Sequence, residues 1–408
     1  MDFSRIRPRE QGFDPERLAR IGAWLQRYID AGKIPCGQVL ISRQGEPVWF
    51  ENRGYLDVEE RRPLQRDSIF RIYSMTKPIT VVAALTLLEE GRLGLGDPVA
   101  QYLPELSDLT AAVAGDVPDL ETEAVREPLT IRNLMMHTAG FTYGVFGGNT
   151  PIAEAYRAEH LDFFPDSPSN AEIIARLAKV PLMHQPGARW SYGISIDVLG
   201  VVLERITGQT LGEIFQQRVF DPLGMVDSSF ELPAEKASRF ATLYARDPKT
   251  DGMVLSDKGS TSKYLKKVDC RSGGGGLQST LADYWRFAEM LRCDGAYEGR
   301  RILAPKTVEL MTSNHLEGDL AAMGQKTFSE TNFEGVGFGL GVWVMVNPAR
   351  AGLMTSPGEF GWGGAASTVF WVDPLEGGSA LFLTQLVPSD SYRLRAELRN
   401  LVYQAMID

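Results

Sequence analysis

Strand-like segments occupy both ends of this chain, and a long stretch of helical spacing separates them. Residues 38–42 and 47–50 read as β on either side of a turn at Gly45 and predict a hairpin. Towards the other end, 337–346, 367–374 and 380–387 are rich in apolar, β-branched and aromatic residues and predict consecutive strands. Between them, 131–136, 170–179, 195–206 and 211–219 carry apolar residues at helical intervals, joined by Pro/Gly/Asn/Asp-rich connections. Further helices are expected at 15–29, with Asp14 as N-cap, Leu18, Ile21, Leu25 and Ile29 on one face and Gly32 beyond the end, and at 75–90, 281–291 and 392–405. Strands at both ends around a helical middle predict an α+β fold: one antiparallel sheet built from both termini and flanked by helices, with a mainly helical inserted domain. On this reading residues 1–85 and 240–408 form the sheet domain, 86–239 form the helical domain, and an active site lies at their junction. A chain of 408 residues exceeds what one core usually serves, which fits that division.

Charge and composition remove several function classes. A formal net charge of -10 without a Lys/Arg-rich stripe argues against nucleic acid and anionic membrane surfaces as partners. No segment reaches the unbroken apolar length of a membrane-spanning helix. The polar N-terminal stretch lacks the apolar core of a secretory signal, and Cys36, Cys270 and Cys293 are odd in number and widely spaced. Together these predict a cytoplasmic protein with inert, reduced thiols. His137, His160, His184 and His315 are scattered without metal-ligand spacing, so neither a metal nor a cofactor is expected. The glycine-rich run 335–341 leads into a strand rather than a helix, the wrong context for a dinucleotide. No Gly-x-Ser-x-Gly is present, so the nucleophile elbow of α/β-hydrolases has no candidate.

Three short segments carry reactive groups. In Ser74-Met75-Thr76-Lys77 the i, i+3 spacing stacks a hydroxyl and an amine one turn apart, at a helix N-terminus that favours an oxyanion. An amine made neutral by burial accepts the hydroxyl's proton, which would make Ser74 a nucleophile; the same tetrad also reads as an N-cap serine with a surface lysine. It recurs at Ser260-Thr261-Ser262-Lys263 among loop residues, whereas Ser74 follows the strand-like Ile69-Phe70-Arg71-Ile72-Tyr73. Tyr192, in Trp190-Ser191-Tyr192-Gly193, stands at a loop–helix junction, either as a proton relay or as a core tyrosine. The small residues of Gly361-Trp362-Gly363-Gly364-Ala365-Ala366-Ser367 either admit a substrate carbonyl to backbone N–H donors or make a turn before the next strand.

These elements stand in the order and approximate spacing of the penicillin-recognising, class C β-lactamase-like superfamily, and the chain resembles a family VIII carboxylesterase within it. SMTKPIT, GRLGLGDPVAQYLPEL, LTIRNLMMHTAG, WSYGISIDVLG and the final WGG extend the resemblance over nearly the whole chain. It implies a β-lactamase/transpeptidase-like fold, with Ser74 as nucleophile, Lys77 as its base and Tyr192 as the relay. It further implies an oxyanion hole from the backbone N–H groups of Ser74 and Ala365, and a substrate-binding strand at Trp362, Gly363 and Gly364.

Two departures from the lactamase pattern bear on substrate. The lactamases carry an asparagine two residues after the tyrosine and Lys-Thr-Gly on the strand, where this chain has Ile194 and Trp362-Gly363-Gly364. Without the lysine a substrate carboxylate loses a charge-assisted contact, and Trp362 offers an apolar wall instead. The expected activity is that of a serine carboxylesterase hydrolysing short-chain, mostly neutral small-molecule esters through an acyl-enzyme on Ser74. An acyltransferase using an alcohol acceptor, or a weak promiscuous β-lactamase or D-peptidase, is the alternative.

Overall fold

The computed structural model describes residues 6–114, 120–328 and 331–407; residues 1–5 of the polar N-terminal stretch lie outside them. The N-terminal hairpin, β1 (Cys36–Arg43) and β2 (Glu46–Asp57), continues into the short β3 (Arg62–Pro63). The C-terminal strands are β4 (Val336–Phe338), β5 (Trp343–Met345), β6 (Phe360–Gly363), β7 (Val369–Asp373) and β8 (Gly378–Leu383). They join in one eight-stranded sheet of order β4-β5-β6-β7-β8-β1-β2-β3, antiparallel throughout. The seam between the two ends is β1 against β8, with Val39 opposite Phe382 and Ile41 opposite Ala380. The predicted α+β architecture is therefore present, with one sheet assembled from both ends of the chain.

Alternation along the strands sorts side chains to the two faces. Val39, Ile41, Val369, Trp371, Ala380 and Phe382 pack beneath α1 (Pro15–Asp30) and the last helix, α5 (Leu394–Tyr403). Leu40, Phe370, Val372, Leu381 and Leu383 point the other way, into the main core with α2 (Thr76–Glu89) and α4 (Leu281–Arg292). Asp14 caps α1 by accepting from the Glu16 N–H at 2.9 Å. α2 is apolar nearly all round, as Thr76 to Leu85 are all buried, which is how a helix reads when it runs through a core. It packs on α3 (Ser195–Thr207) and on the turns that follow it, so the core passes without a break from the sheet into the helical stretch.

The helices expected at 131–136, 170–179 and 195–206 form within two residues of those limits. The one expected at 211–219 stops at Phe215 and continues as a wider π turn, Gln216–Phe220. The run 380–387 is two strands: Thr384 and Gln385 break it, and Leu386–Val387 pairs in parallel with Tyr244 and Ala245. The segment 337–346 likewise splits at Gly341, whose φ of 74° turns the chain back on itself. A short hairpin, Thr110–Ala114 with Glu121–Ala124, and a helix, Pro151–Ala158, were not expected. The second is announced by Thr150, whose hydroxyl accepts from the Ala153 N–H, and by Pro151 at its first position.

Candidate active site

Ser74 lies in a single 3-10 turn, Tyr73–Met75, between the short strand Phe70–Arg71 and α2. That strand pairs with Gln278–Ser279, and the Ile72 N–H donates to the Leu277 carbonyl at 3.2 Å, which anchors the approach to the serine. Tyr73 takes a φ of 42°, a left-handed conformation that a bulky residue rarely adopts. The turn is held by the Met75 N–H donating to Ile72 O at 3.1 Å and by the Tyr284 hydroxyl donating to Met75 O at 2.8 Å.

Lys77 is fully buried one turn further on. Its Nζ lies 2.7 Å from Gly274 O, 3.0 Å from the Tyr143 hydroxyl and 3.3 Å from Ser74 Oγ. The Tyr192 hydroxyl donates to Ser74 Oγ at 2.7 Å, so amine, serine and phenol meet although Tyr192 is 118 residues from Ser74. The Tyr192 ring is clamped by aromatic neighbours: Trp190 stacks at 6.0 Å, His137 lies at 4.9 Å and Trp362 at 5.7 Å. The second tetrad is elsewhere, with Ser260 exposed and the exposed Lys263 paired with Asp166 at 2.8 Å.

Strand β6 brings the Trp-Gly-Gly segment to this turn. A Cβ on Gly364 would stand 2.3 Å from the Ile72 carbonyl oxygen, so the absence of a side chain lets strand and nucleophile turn touch. The Gly364 N–H donates to Thr368 O at 2.9 Å. The next residue is Ala365; among the described residues its N–H meets no acceptor. Ser74, Tyr192, Trp362, Gly363, Gly364 and Ala365 all face one cavity of about 500 Å³, whose far walls include Phe333, Val336, Trp343, Met345 and Leu353. The size and the largely apolar walls are those of small-molecule sites.

The surroundings hold features that the sequence reading did not reach. Asp197, buried on α3, accepts from the Ser272 hydroxyl at 2.5 Å, the Gly274 N–H at 2.9 Å and the Tyr143 hydroxyl at 3.4 Å. Burial pushes its carboxyl up from the usual range, against the pull of Lys77. Burial, then Asp197, pushes the Tyr143 hydroxyl well up. Burial, then the Lys77 amine, pushes the His137 imidazole well down. The strand itself brings no cation, as expected, but arginines of the last helical segment reach the same cavity. Arg395 donates to Gly364 O at 2.7 Å and Thr368 O at 3.1 Å, Arg399 pairs with Glu359, and Arg393 is exposed. Gly363 makes room for Arg395, since a Cβ there would lie 2.8 Å from its guanidinium.

A family profile described as Beta-lactamase matches residues 21–404, nearly the whole chain. The chain belongs to the beta-lactamase family. Among members of the family it is similar to Esterase EstB of Burkholderia gladioli, 30% identical over 423 residues, which covers 99% of this chain and 100% of EstB. It is 30% identical over 345 residues to the monacolin J acid methylbutanoyltransferase of Aspergillus terreus, covering 80% of this chain and 79% of that one. Its fold superposes with a TM-score of 0.79 on EstCE1, described as a hydrolase with promiscuous acyltransferase activity, at 29% identity and with 95% and 99% of the two chains covered. Within the beta-lactamase family it is thus a carboxylesterase-like serine hydrolase.

Proposed function

We propose that the protein is a carboxylesterase that cleaves small, mostly neutral esters through an acyl-enzyme on Ser74. The observation that carries the reading is the convergence of Tyr192 and Lys77 on Ser74 Oγ at 2.7 and 3.3 Å, on the wall of an apolar cavity. In the first step Oγ bonds to the ester carbonyl carbon while its proton passes to the Lys77–Tyr192 pair, and the carbonyl electron pair moves to oxygen. The N–H groups of Ser74 and Ala365 receive that oxyanion. The intermediate collapses, the C–O bond to the alkoxy group breaks, and the pair returns the proton to the departing oxygen. Water then repeats the sequence on the acyl-enzyme, releasing acid and regenerating Ser74.

Neutral substrates fit the charges at the site. Trp362 stands where a lysine would pair with an anion, and Arg395 and Arg399 are engaged with protein acceptors; among the described residues the exposed Arg393 is the cation left on the cavity wall, away from the Trp-Gly-Gly strand in sequence. A cytoplasmic location, which the odd and unpaired cysteines support, is part of this proposal. Transfer of the acyl group to an alcohol is the second reading, favoured by the transferase relative and by the activity named for EstCE1.

The test is a p-nitrophenyl ester series run with and without an alcohol acceptor, beside fluorophosphonate labelling read by mass spectrometry. Ester hydrolysis abolished in Ser74→Ala and retained in Ser260→Ala, with the label on Ser74, is the expected result. A label on Ser260, or a higher kcat/KM for nitrocefin than for every neutral ester, overturns the reading. Acyl transfer outrunning hydrolysis in abundant water selects the second reading.

A further inference from the structure

We infer that Asp197 is the positioning residue for Lys77, acting on it through the Tyr143 hydroxyl and through Gly274. The inference rests on the reading of Ser74 as the nucleophile and Lys77 as its proton acceptor.

Asp197 is a carboxylate in an otherwise aliphatic buried surface, flanked on α3 by Ile196, Val198 and Leu199. Burying such a group is costly unless every oxygen is satisfied, so a position of this kind is not filled by default. Its oxygens do not touch Ser74. They hold the two groups that hold Lys77 instead. Oδ1 accepts from the Gly274 N–H at 2.9 Å, and the Gly274 carbonyl is the acceptor 2.7 Å from Lys77 Nζ. Oδ2 accepts from the Tyr143 hydroxyl, whose oxygen lies 3.0 Å from Nζ. The fit is tight: a Cβ on Gly274 would come within 2.3 Å of Oδ2, so the carboxylate sets where that residue lies.

The direction of these bonds determines what Lys77 can do. A carbonyl only accepts, and a tyrosine that spends its proton on Asp197 turns its oxygen to Lys77 as an acceptor. In the proton-accepting form that the reading of Lys77 as base requires, the amine has two N–H bonds and one lone pair. With both N–H bonds directed at Gly274 O and Tyr143, the lone pair is left facing Ser74 Oγ, where the proton must go. Once the proton has moved, the carboxylate also balances the new ammonium inside the protein. This is the arrangement of a base oriented by a third group, built here from a lysine, a tyrosine and a buried acid.

Asp197→Asn keeps the shape and reverses one bond: the amide nitrogen donates to Tyr143, whose own proton then turns to the Lys77 lone pair. The experiment measures kcat and KM for p-nitrophenyl butyrate, and the rate of fluorophosphonate labelling at Ser74, in wild type, Asp197→Asn, Tyr143→Phe and the double variant. Each single variant is expected to lower kcat and labelling about 100-fold while KM stays within about threefold. The double variant is expected to be no slower than the worse single one, because both act through one bond. Losses that multiply in the double variant, or wild-type labelling in Asp197→Asn, overturn the inference. Labelling needs an activated serine but no ester, so a wild-type protein that labels at Ser74 and cleaves no ester refutes the esterase reading while the labelling rates still decide this one. Should Asp197→Asn fail to fold, Tyr143→Phe decides alone: labelling about 100-fold slower supports the inference, and labelling at the wild-type rate overturns it.

Discussion

Replacing Gly364 by alanine tests whether the approach of β6 to the Ser74 turn sets the catalytic distances. The new Cβ would stand 2.3 Å from Ile72 O and 2.3 Å from Thr368 Oγ1, where ordinary contact begins at 3.4 Å. The shortfall is about 1 Å; Thr368 Oγ1, which among the described residues has no hydrogen-bond partner, can turn aside, but the Ile72 carbonyl is tied into the turn that carries Ser74 two residues later and cannot. The strain therefore separates Ser74 from the Ala365 N–H, the two sides of the proposed oxyanion hole. A misplacement of about 1 Å costs on the order of 100-fold in rate, and overpacking of this kind costs about 1–3 kcal/mol of stability. Gly364 does not have a left-handed φ, so backbone strain adds nothing to the effect. The assay is kcat and KM on p-nitrophenyl butyrate beside a thermal melt, with Gly96→Ala as control because nothing lies within 4 Å of a Cβ there. A fall in kcat of about 100-fold in a folded variant is expected. A folded Gly364→Ala protein that keeps kcat within about threefold refutes the reasoning.

Three other outcomes follow from the same geometry. Lys77→Ala and Tyr192→Phe should each cost about 100-fold or more in kcat, and near-wild-type turnover in a folded Tyr192→Phe protein removes the phenol from the mechanism. Trp362→Ala should raise KM for apolar esters more than it lowers kcat, and the loss of a side chain only 4% exposed should cost about 3–5 kcal/mol in a denaturant titration; unchanged KM would show that the wall does not bind substrate. Stability should decline as pH falls below the ordinary histidine value of 6.5, because burial, and secondly the Lys77 amine, holds His137 neutral in the fold while the unfolded chain takes up a proton. His184, depressed chiefly by burial, acts in the same sense. His137→Asn, a residue that tolerates the φ of 55° found there, should flatten that pH dependence in thermal melts; an unchanged slope would exclude His137 as its source.

What could be read from the sequence was what the chain encodes locally. The sheet strands are apolar on both faces and read as short runs of β-branched and aromatic residues, and Ser74 and Lys77 are one helical turn apart, so composition and spacing reveal them directly. The family pattern supplied the roles of Tyr192 and of the segment Trp362–Ala365, which no local rule assigns. The hairpin Thr110–Ala114 with Glu121–Ala124 was hidden because its strands, largely exposed along Glu121–Ala124, carry little alternating signal. Tyr143 and Gly274 approach Lys77 from 66 and 197 residues away, and only the packing of three separate segments brings them there. Asp197 did leave a trace, an acid set among Ile196, Val198 and Leu199 on a buried helix face, which is a place where a charge needs a reason. Arg395 left none, because the acceptors it meets, Gly364 O and Thr368 O, lie 31 and 27 residues away in sequence.

The seam between β1 and β8 also bears on how the protein is made. Val39 leaves the ribosome 343 residues before its partner Phe382 (382 − 39), which at about 5–20 residues per second is a wait of roughly 20–70 s. Throughout that interval one edge of β1 lacks its neighbour, and the apolar side chains that later lie beneath α5 are uncovered. An uncapped strand edge of that kind is where nascent chains stick to one another. Slower growth temperature, chaperone supply and polar substitutions on the solvent side of the N-terminal hairpin therefore act on yield through this one delayed pairing, independently of how stable the finished enzyme is.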